Sequence, residues 1–154
     1  MIINVMSERA AETASYELKD RTAIISVRNM DAEPVLFCEG PQLIGVKTLY
    51  FADTSEDTPD SFSKAQAEEI KDFLLQMLGK IDRLIVHCEF GVSRSAGIAA
   101  AVLDALTGDS SVIFNDSWYV PNMRCYRLVY NALYDEDGNS LIGTMECDFR
   151  DSRL

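Results

Sequence analysis

Short apolar runs recur through the first ninety or so residues and predict β-strands. The runs are rich in Ile, Val, Leu and Thr, which favour extended backbone, and charged or turn-forming residues separate them. They occupy residues 2–5, 22–27, 35–38, 46–51 and 83–87. Runs this short and this apolar are typical of strands that are buried in a sheet.

Capping signals and helical periodicity predict helices between these runs. Ser7 caps a short helix over residues 7–14, and an Ala-rich segment after Ser95 predicts a buried helix that reaches Gly108. Ser63 and Gln66 have the spacing of a capping box and begin a helix over residues 63–78. The buried face of that helix is predicted by apolar residues at helical spacing, which are Ile70, Phe73, Leu74, Met77 and Leu78.

Strands that alternate with helices predict an α/β fold with a central, largely parallel sheet flanked by helices. No repeat, low-complexity tract or linker divides the chain, so we expect residues 1–154 to form a single domain. Ligands of such sheets bind beyond the carboxyl ends of the strands, where helices begin. Residues 87–95 lie at such a place, which makes this loop the predicted functional site.

The predicted loop combines a nucleophile with an anion-binding turn. It reads His87-Cys88-Glu89-Phe90-Gly91-Val92-Ser93-Arg94-Ser95. A short turn that enters a helix N-terminus directs several backbone N–H groups into one concavity, and Gly91 supplies the backbone freedom that the turn needs. Arg94 adds a planar pair of donors matched to phosphate oxygens. These groups together would stabilise a thiolate at Cys88.

The loop resembles the signature of the protein tyrosine phosphatase superfamily, H-C-x-x-G-x-x-R-[ST], and the chain is similar to compact, bacterial-type dual-specificity phosphatases. The signature is matched at His87, Cys88, Gly91, Arg94 and Ser95. The resemblance implies that Cys88 is the nucleophile, that Ser95 assists departure of its sulfur, and that no cofactor is needed. It also implies that the phosphate is bound by Arg94 and by the loop residues Glu89, Phe90, Gly91, Val92 and Ser93.

Two further positions follow from strand geometry and from the same resemblance. Neighbours on a strand point to opposite faces, so His87 is poorly placed to act as a base for Cys88, and we expect it to orient the loop by hydrogen bonds. The resemblance places the general acid on a loop before the cysteine, where Asp53 stands thirty-five residues upstream. Glu56, Asp57 and Asp60 lie in the same acidic segment and remain alternatives.

The C-terminal part offers one more resemblance. Residues 120–133, introduced by Pro121-Asn122, are similar to the last helix of small bacterial dual-specificity-like phosphatases. We expect this segment to be structural. Residues 135–154 and the first 20 residues contain no recognisable motif.

The expected reaction is hydrolysis of a phosphate monoester through a phosphocysteine, on a phosphorylated protein or a small phosphate ester. The resemblance implies a shallow pocket that admits phosphotyrosine and also phosphoserine or phosphothreonine. In the family that the loop resembles, basic residues within the loop favour inositol phosphates. Glu89, Phe90, Val92 and Ser93 are not basic, so the resemblance disfavours phosphoinositides. The alternative is a catalytically silent module that binds phosphate or phosphoproteins. Such a module usually lacks the nucleophile or the acid, and both candidates are present here.

Composition and charge exclude several partners. With 47% hydrophobic and 25% charged residues, the chain is ordinary for a globular protein. Fourteen Lys and Arg against 25 Asp and Glu give a net charge of −11, so we expect neither nucleic acid nor an anionic membrane as a partner. The first residues lack the pattern of a signal peptide, and the four scattered cysteines lack zinc spacing. We therefore expect a cytoplasmic protein with reduced thiols and no metal.

Overall fold

The computed structural model describes residues 1–152, which form five strands and five helices. In chain order they are β1 (Ile2–Ser7), α1 (Glu8–Ser15), β2 (Thr22–Arg28), β3 (Leu43–Tyr50), α2 (Lys64–Met77), β4 (Arg83–Cys88), α3 (Arg94–Thr107), α4 (Ser111–Phe114), α5 (Met123–Leu133) and β5 (Asp148–Asp151).

The strands form one sheet in the order β3-β2-β4-β1-β5, and every neighbouring pair is parallel. The predicted α/β fold with a parallel central sheet is therefore confirmed. β4 lies at the centre, and its last residue, Cys88, is in register with Ser7 at the end of β1. The loops that leave the carboxyl ends of β1 and β4 consequently begin side by side.

Helices cover both faces of the sheet. Along the strands alternate residues face opposite ways, so Ile24 and Ile85 pack against α1 while Ile25 and Val86 belong to the larger core beneath α2, α3 and α5. The helices that follow the adjacent strands β1 and β4 thus lie on opposite faces. In parallel sheets such a divergence opens a crevice at the carboxyl edge, and this is where ligands bind.

The predicted helix-capping interactions are present. The Ser7 hydroxyl accepts a hydrogen bond from the Ala10 N–H at the start of α1, and Ser63 and Gln66 form the predicted capping box of α2. Gly108 ends α3 in the left-handed conformation. Within residues 1–152, no helix is both long enough and apolar enough to cross a bilayer.

Two strand assignments differ from the prediction. Residues 35–38, predicted as a strand, lie in the irregular segment between β2 and β3, because β3 itself pairs with that edge of β2. From this run, Phe37 instead packs on the sheet with its ring 5.7 Å from the ring of His87, while Leu36 is exposed. The second difference is β5, which sequence patterning missed because its residues, Asp148 to Asp151, alternate charge with a single aromatic residue.

Candidate active site

The loop between β4 and α3, residues 88–94, is here called the cysteine loop, and it has seven backbone carbonyl groups. Four of them accept hydrogen bonds from surrounding elements. The pairs are Cys88 O with His87 Nδ1 (3.2 Å), Glu89 O with the Glu8 N–H (3.2 Å), Val92 O with the Val120 N–H (3.0 Å), and Ser93 O with the Asn122 N–H (3.0 Å). The surrounding backbone therefore fixes the orientation of these peptide groups.

The N–H groups that follow these four carbonyl groups, at residues 89, 90, 93 and 94, consequently face inward. A planar trans peptide directs its C=O and the following N–H in opposite directions, so outward carbonyls imply inward N–H groups at the next residue. Within residues 1–152, none of the N–H groups of residues 89–93 donates a hydrogen bond. A ring of unpaired N–H groups at the start of a helix is a binding site for an oxyanion.

Gly91 allows the cysteine loop to sit directly on the end of β1. Its φ of +69° lies in the left-handed region, where a side chain is strained. A Cβ at this position would lie 2.5 Å from the carbonyl carbon of Met6 and 2.6 Å from the Ser7 nitrogen. Only glycine fits between the loop and the strand, so the shape of the cradle depends on it.

Cys88 is the last residue of β4 and is buried at the base of the loop. Its Sγ lies 3.0 Å from the hydroxyl oxygen of Ser95 in the first turn of α3. Since Ser95 is also buried, this hydroxyl is positioned to donate to a thiolate at Cys88. The predicted pairing of these two residues is thus present in the geometry.

Arg94 lies behind the cradle with an unpaired donor. The residue is only 4% exposed, and its Nη1 donates to the Phe51 carbonyl oxygen at 2.8 Å. Its Nε is buried, and no acceptor lies within hydrogen-bond distance among the described residues. A buried, unpaired guanidinium N–H is costly, and an anion in the adjacent cradle would satisfy it.

Asp53 reaches the cysteine loop from the segment after β3. Its Oδ1 accepts hydrogen bonds from the Ser93 hydroxyl at 2.9 Å and from Asn122 Nδ2 at 2.8 Å. Ser93 occupies the N-cap position of α3 but does not use its side chain to cap the helix, and the hydroxyl turns to Asp53 instead. The geometry therefore brings together the cysteine loop, the predicted acid and the start of α5.

The three alternative carboxylates make no such contact. Asp57 is highly exposed and pairs with Arg124 at 3.1 Å, while Glu56 and Asp60 are exposed and have no hydrogen bond from their carboxylates to the cysteine loop. Sequence spacing left four candidates for the acid, and the geometry favours Asp53.

His87 points to the face opposite Cys88 and is completely buried. A carbonyl oxygen can only accept, so the contact with Cys88 O places the proton on Nδ1, and Nε2 accepts from the Ser26 hydroxyl at 2.5 Å. Burial lowers the pKa of His87 from 6.5 to about 4, so the ring is neutral at physiological pH. His87 Nδ1 thus donates to the Cys88 carbonyl oxygen, and the orienting role of His87 stays a prediction.

The side chains of Glu89 and Phe90 lie on the outside of the cysteine loop. Phe90 is 72% exposed, and Glu89 is exposed with its Oε2 accepting from Asn29 Nδ2 at 2.9 Å. These residues contribute backbone N–H groups, and their side chains lie at the rim. Among residues 1–152, no group of three or more His, Cys, Asp or Glu side chains is arranged to hold a metal ion.

Three hydrogen-bond partners of the site residues were not predicted from the sequence. Ser26 binds the imidazole, the Phe51 carbonyl holds Arg94, and Asn122 joins Asp53 to α5. Asn122 had a detectable signal, since a Pro-Asn pair before an amphipathic segment is a helix-capping pattern, and its side chain does accept from the Cys125 N–H. A backbone carbonyl such as that of Phe51 has no sequence signal.

Solved structures share this fold, although no family model matches the chain and no curated protein matches it significantly by sequence. A mouse protein described as a dual specificity phosphatase, complexed with zinc tungstate, superimposes with a TM-score of 0.59 at 14% identity, covering 82% of this chain and 78% of its own. Human DUSP28 superimposes with a TM-score of 0.54 at 20% identity, covering 84% of this chain and 90% of its own. The chain therefore shares the fold of these dual specificity phosphatase structures.

Proposed function

We propose that the chain is a cysteine-dependent phosphatase, a single domain that hydrolyses phosphate monoesters of tyrosine, serine or threonine in proteins, or of small molecules. The observation that supports this proposal is the set of unpaired donors around Cys88. The N–H groups of residues 89–93 and the buried Arg94 Nε are unpaired within the described chain, and they surround a buried thiol. A nucleophile thus sits inside an oxyanion site.

In the first step, the Cys88 thiolate attacks phosphorus in line with the leaving group. The S–P bond forms as the bond from phosphorus to the ester oxygen breaks, while Arg94 and the loop N–H groups stabilise the equatorial oxygens. Asp53 gives a proton to the leaving oxygen. Because Oδ1 already accepts two hydrogen bonds, the proton that is transferred resides on Oδ2.

In the second step, water hydrolyses the phosphocysteine. Asp53, now ionised, takes a proton from the water as its oxygen attacks phosphorus, and the S–P bond breaks. The Ser95 hydroxyl, 3.0 Å from Sγ, donates a hydrogen bond to the departing thiolate. Inorganic phosphate leaves, and the thiolate and protonated Asp53 are restored, so the cycle needs no redox partner.

Fold and chemistry support the substrate class. The two fold neighbours are described as dual specificity phosphatases, and tungstate, present with the mouse protein, is a tetrahedral oxyanion like phosphate. The four free cysteines are compatible with a reducing, cytoplasmic location. Burial raises the pKa of the Cys125 thiol, which keeps this second cysteine near the site protonated.

The test is hydrolysis of para-nitrophenyl phosphate in excess EDTA by the wild type and by Cys88→Ser. We expect metal-independent turnover that falls by at least about a thousandfold in the variant, because the nucleophile is removed. Cys38→Ser is the matched control, since Cys38 lies in the segment before β3 and should not change turnover.

Two outcomes would count against the proposal. Activity that EDTA abolishes would indicate metal-dependent hydrolysis, and activity retained in Cys88→Ser would place the nucleophile elsewhere. A folded, reduced wild type that binds phosphate without hydrolysing the ester would instead support the phosphate-binding module.

A further inference from the structure

A second cavity adjoins the proposed site on the side of the acid. It has a volume of about 480 Å³, and its walls include Asp53, Thr54, Ser55, Ser93, Met123 and Arg127. Asp53 and Ser93 belong to both the candidate active site and the cavity, so the two are adjacent. The catalytic cycle proposed above makes no use of this cavity.

Arg127 is the cation on the wall of the cavity, and it is not engaged by the protein. It is exposed on α5, one turn after Met123, and makes no hydrogen bond or ion pair with any of residues 1–152. Arg124, on the same helix, has a structural role. Its Nε donates to the Phe62 carbonyl at 2.7 Å, and its Nη2 pairs with Asp57.

The nearby carboxylates do not pair with Arg127. Asp57 is paired with Arg124, and the Oδ1 of Asp53 accepts from Ser93 and Asn122. Arg127 therefore faces the cavity with its full set of donors available. A guanidinium with free donors binds a carboxylate or phosphate better than any other side chain, because its planar fork matches two oxygens of the anion.

We propose that this cavity binds a second acidic group of the substrate, a carboxylate or a phosphate close to the phosphate that is hydrolysed, with Arg127 as its ligand. The inference rests on the proposed function and narrows its substrate class to acidic phosphopeptides or phosphate esters with a second anionic group. Arg127 favours a second acidic group only when that group is in direct contact with it.

The acidity of the whole chain does not oppose this preference. A net charge of −11 slows the approach of every anionic substrate, with or without a second acidic group. Exposed charges further apart than about 10 Å are largely screened at moderate salt, whereas a direct contact with Arg127 persists. Discrimination between a neutral and an acidic neighbour is therefore decided inside the cavity.

Binding to the Cys88→Ser variant tests the proposal without turnover. The probes are phosphotyrosine peptides in which one neighbour, placed in turn at each position from two before to two after the phosphotyrosine, is Gln, Glu or phosphoserine. Calorimetry gives the dissociation constants. At the favoured position we expect the Glu peptide to bind about fivefold more tightly than the Gln peptide, the upper range for an exposed ion pair.

Second-site variants, made in the Cys88→Ser background, identify the ligand. Arg127→Gln should abolish the preference for Glu, and Arg127→Lys should retain part of it, because a lysine keeps the charge without the planar fork. Lys80→Gln makes the same change of charge just after α2, at the other end of the sheet, and should leave the preference intact. Equal midpoints of urea unfolding confirm that the variants fold alike.

The outcomes separate this inference from the proposed function. A preference that persists in Arg127→Gln, or no preference at any position, would overturn the inference while hydrolysis of para-nitrophenyl phosphate stands. Absence of both hydrolysis and peptide binding would overturn the proposed function, and the inference with it. Tighter binding of the phosphoserine peptide than of the Glu peptide would identify the second group as a phosphate, and the reverse order would identify a carboxylate.

Discussion

At the scale of single residues, the two hydrogen bonds to Asp53 determine which of its oxygens can act. The Ser93 hydroxyl and Asn122 Nδ2 both donate to Oδ1, and Asn122 also donates to the Thr54 carbonyl at 3.1 Å. The carboxyl group is thereby held against the cysteine loop with Oδ2 free. A general acid must first be in reach of the leaving oxygen, and the tie to Ser93 provides that proximity.

Substitution of Asp53 should affect substrates according to their leaving groups. In Asp53→Asn we expect turnover of a poor leaving group, such as a phosphotyrosine peptide, to fall by about a hundredfold or more, since its oxygen needs a proton. An activated ester such as para-nitrophenyl phosphate should lose much less. Single-turnover rates with both substrates measure the difference.

Asp60→Asn is the matched control, because Asp60 is exposed in the same segment and its carboxylate does not contact the cysteine loop. It should retain both activities. Equal slowing of the two substrates in Asp53→Asn, or no slowing, would place the acid elsewhere in residues 52–62.

At the scale of the elements, the candidate active site is a junction between two adjacent parallel strands. β4 supplies Cys88, the end of β1 supplies the surface on which Gly91 rests, and α3 begins directly after the loop. Contacts from the segment 120–122 complete the junction, since the N–H groups of Val120 and Asn122 hold two loop carbonyls. The cradle is thus built by backbone from four parts of the chain.

Gly91→Ala should disrupt this junction. The new Cβ would meet the backbone of Met6 and Ser7 at about 2.5–2.7 Å, in a left-handed conformation. We expect unfolding free energy to fall by about 3 kcal/mol or more, with loss of phosphatase activity. Urea unfolding and para-nitrophenyl phosphate hydrolysis measure the two effects.

Gly108→Ala separates strain from collision. Gly108 has a φ of +79° but no atom within 4 Å of an added Cβ, so only the conformational strain of about 1 kcal/mol applies, and activity should persist. If the two variants proved equally stable and active, the close contact of the cysteine loop with β1 would be irrelevant.

At the scale of the whole molecule, pH acts on stability in two opposite ways. As pH falls, protonation of carboxylates relieves the repulsion within a chain of net charge −11, which stabilises the fold. His87 acts in the other direction. Its folded pKa of about 4 lies below the ordinary 6.5, so at intermediate pH the unfolded chain binds a proton that the folded chain does not. The stability that the neutral ring contributes is complete above pH 6.5 and is lost as pH falls towards 4.

Comparison with His87→Gln isolates the contribution of His87 to the pH dependence of the unfolding free energy. Between about pH 7 and about pH 5, we expect His87 to reduce the unfolding free energy of the wild type by about 2 kcal/mol, a change that the variant lacks. Urea unfolding at both pH values gives this difference, and the shared carboxylates cancel. Parallel pH profiles for the two proteins would show that His87 titrates normally in the folded state.

Features that depend on contacts between residues close in sequence were predictable from the sequence. The capping signals at Ser7 and Ser63 predicted where helices begin, because a cap is a contact over three residues. The cysteine loop was equally readable, since Cys88, Gly91 and Arg94 lie within one turn between a strand and a helix. Alternation of strands and helices was sufficient to predict the α/β class.

Features that depend on contacts between distant segments could not be predicted before the fold was known. The sequence favoured Asp53 over three alternative carboxylates, and only the folded chain shows that Asp53 accepts hydrogen bonds from Ser93 and Asn122. The apolar run at residues 35–38 could either form a strand or lie outside the sheet. It forms no strand, because β3 pairs with that edge of β2. The β5 strand forms by pairing with β1, which lies at the opposite end of the sequence. Such outcomes depend on which distant groups compete for the same hydrogen bonds and the same surface, and that competition exists only in the folded chain.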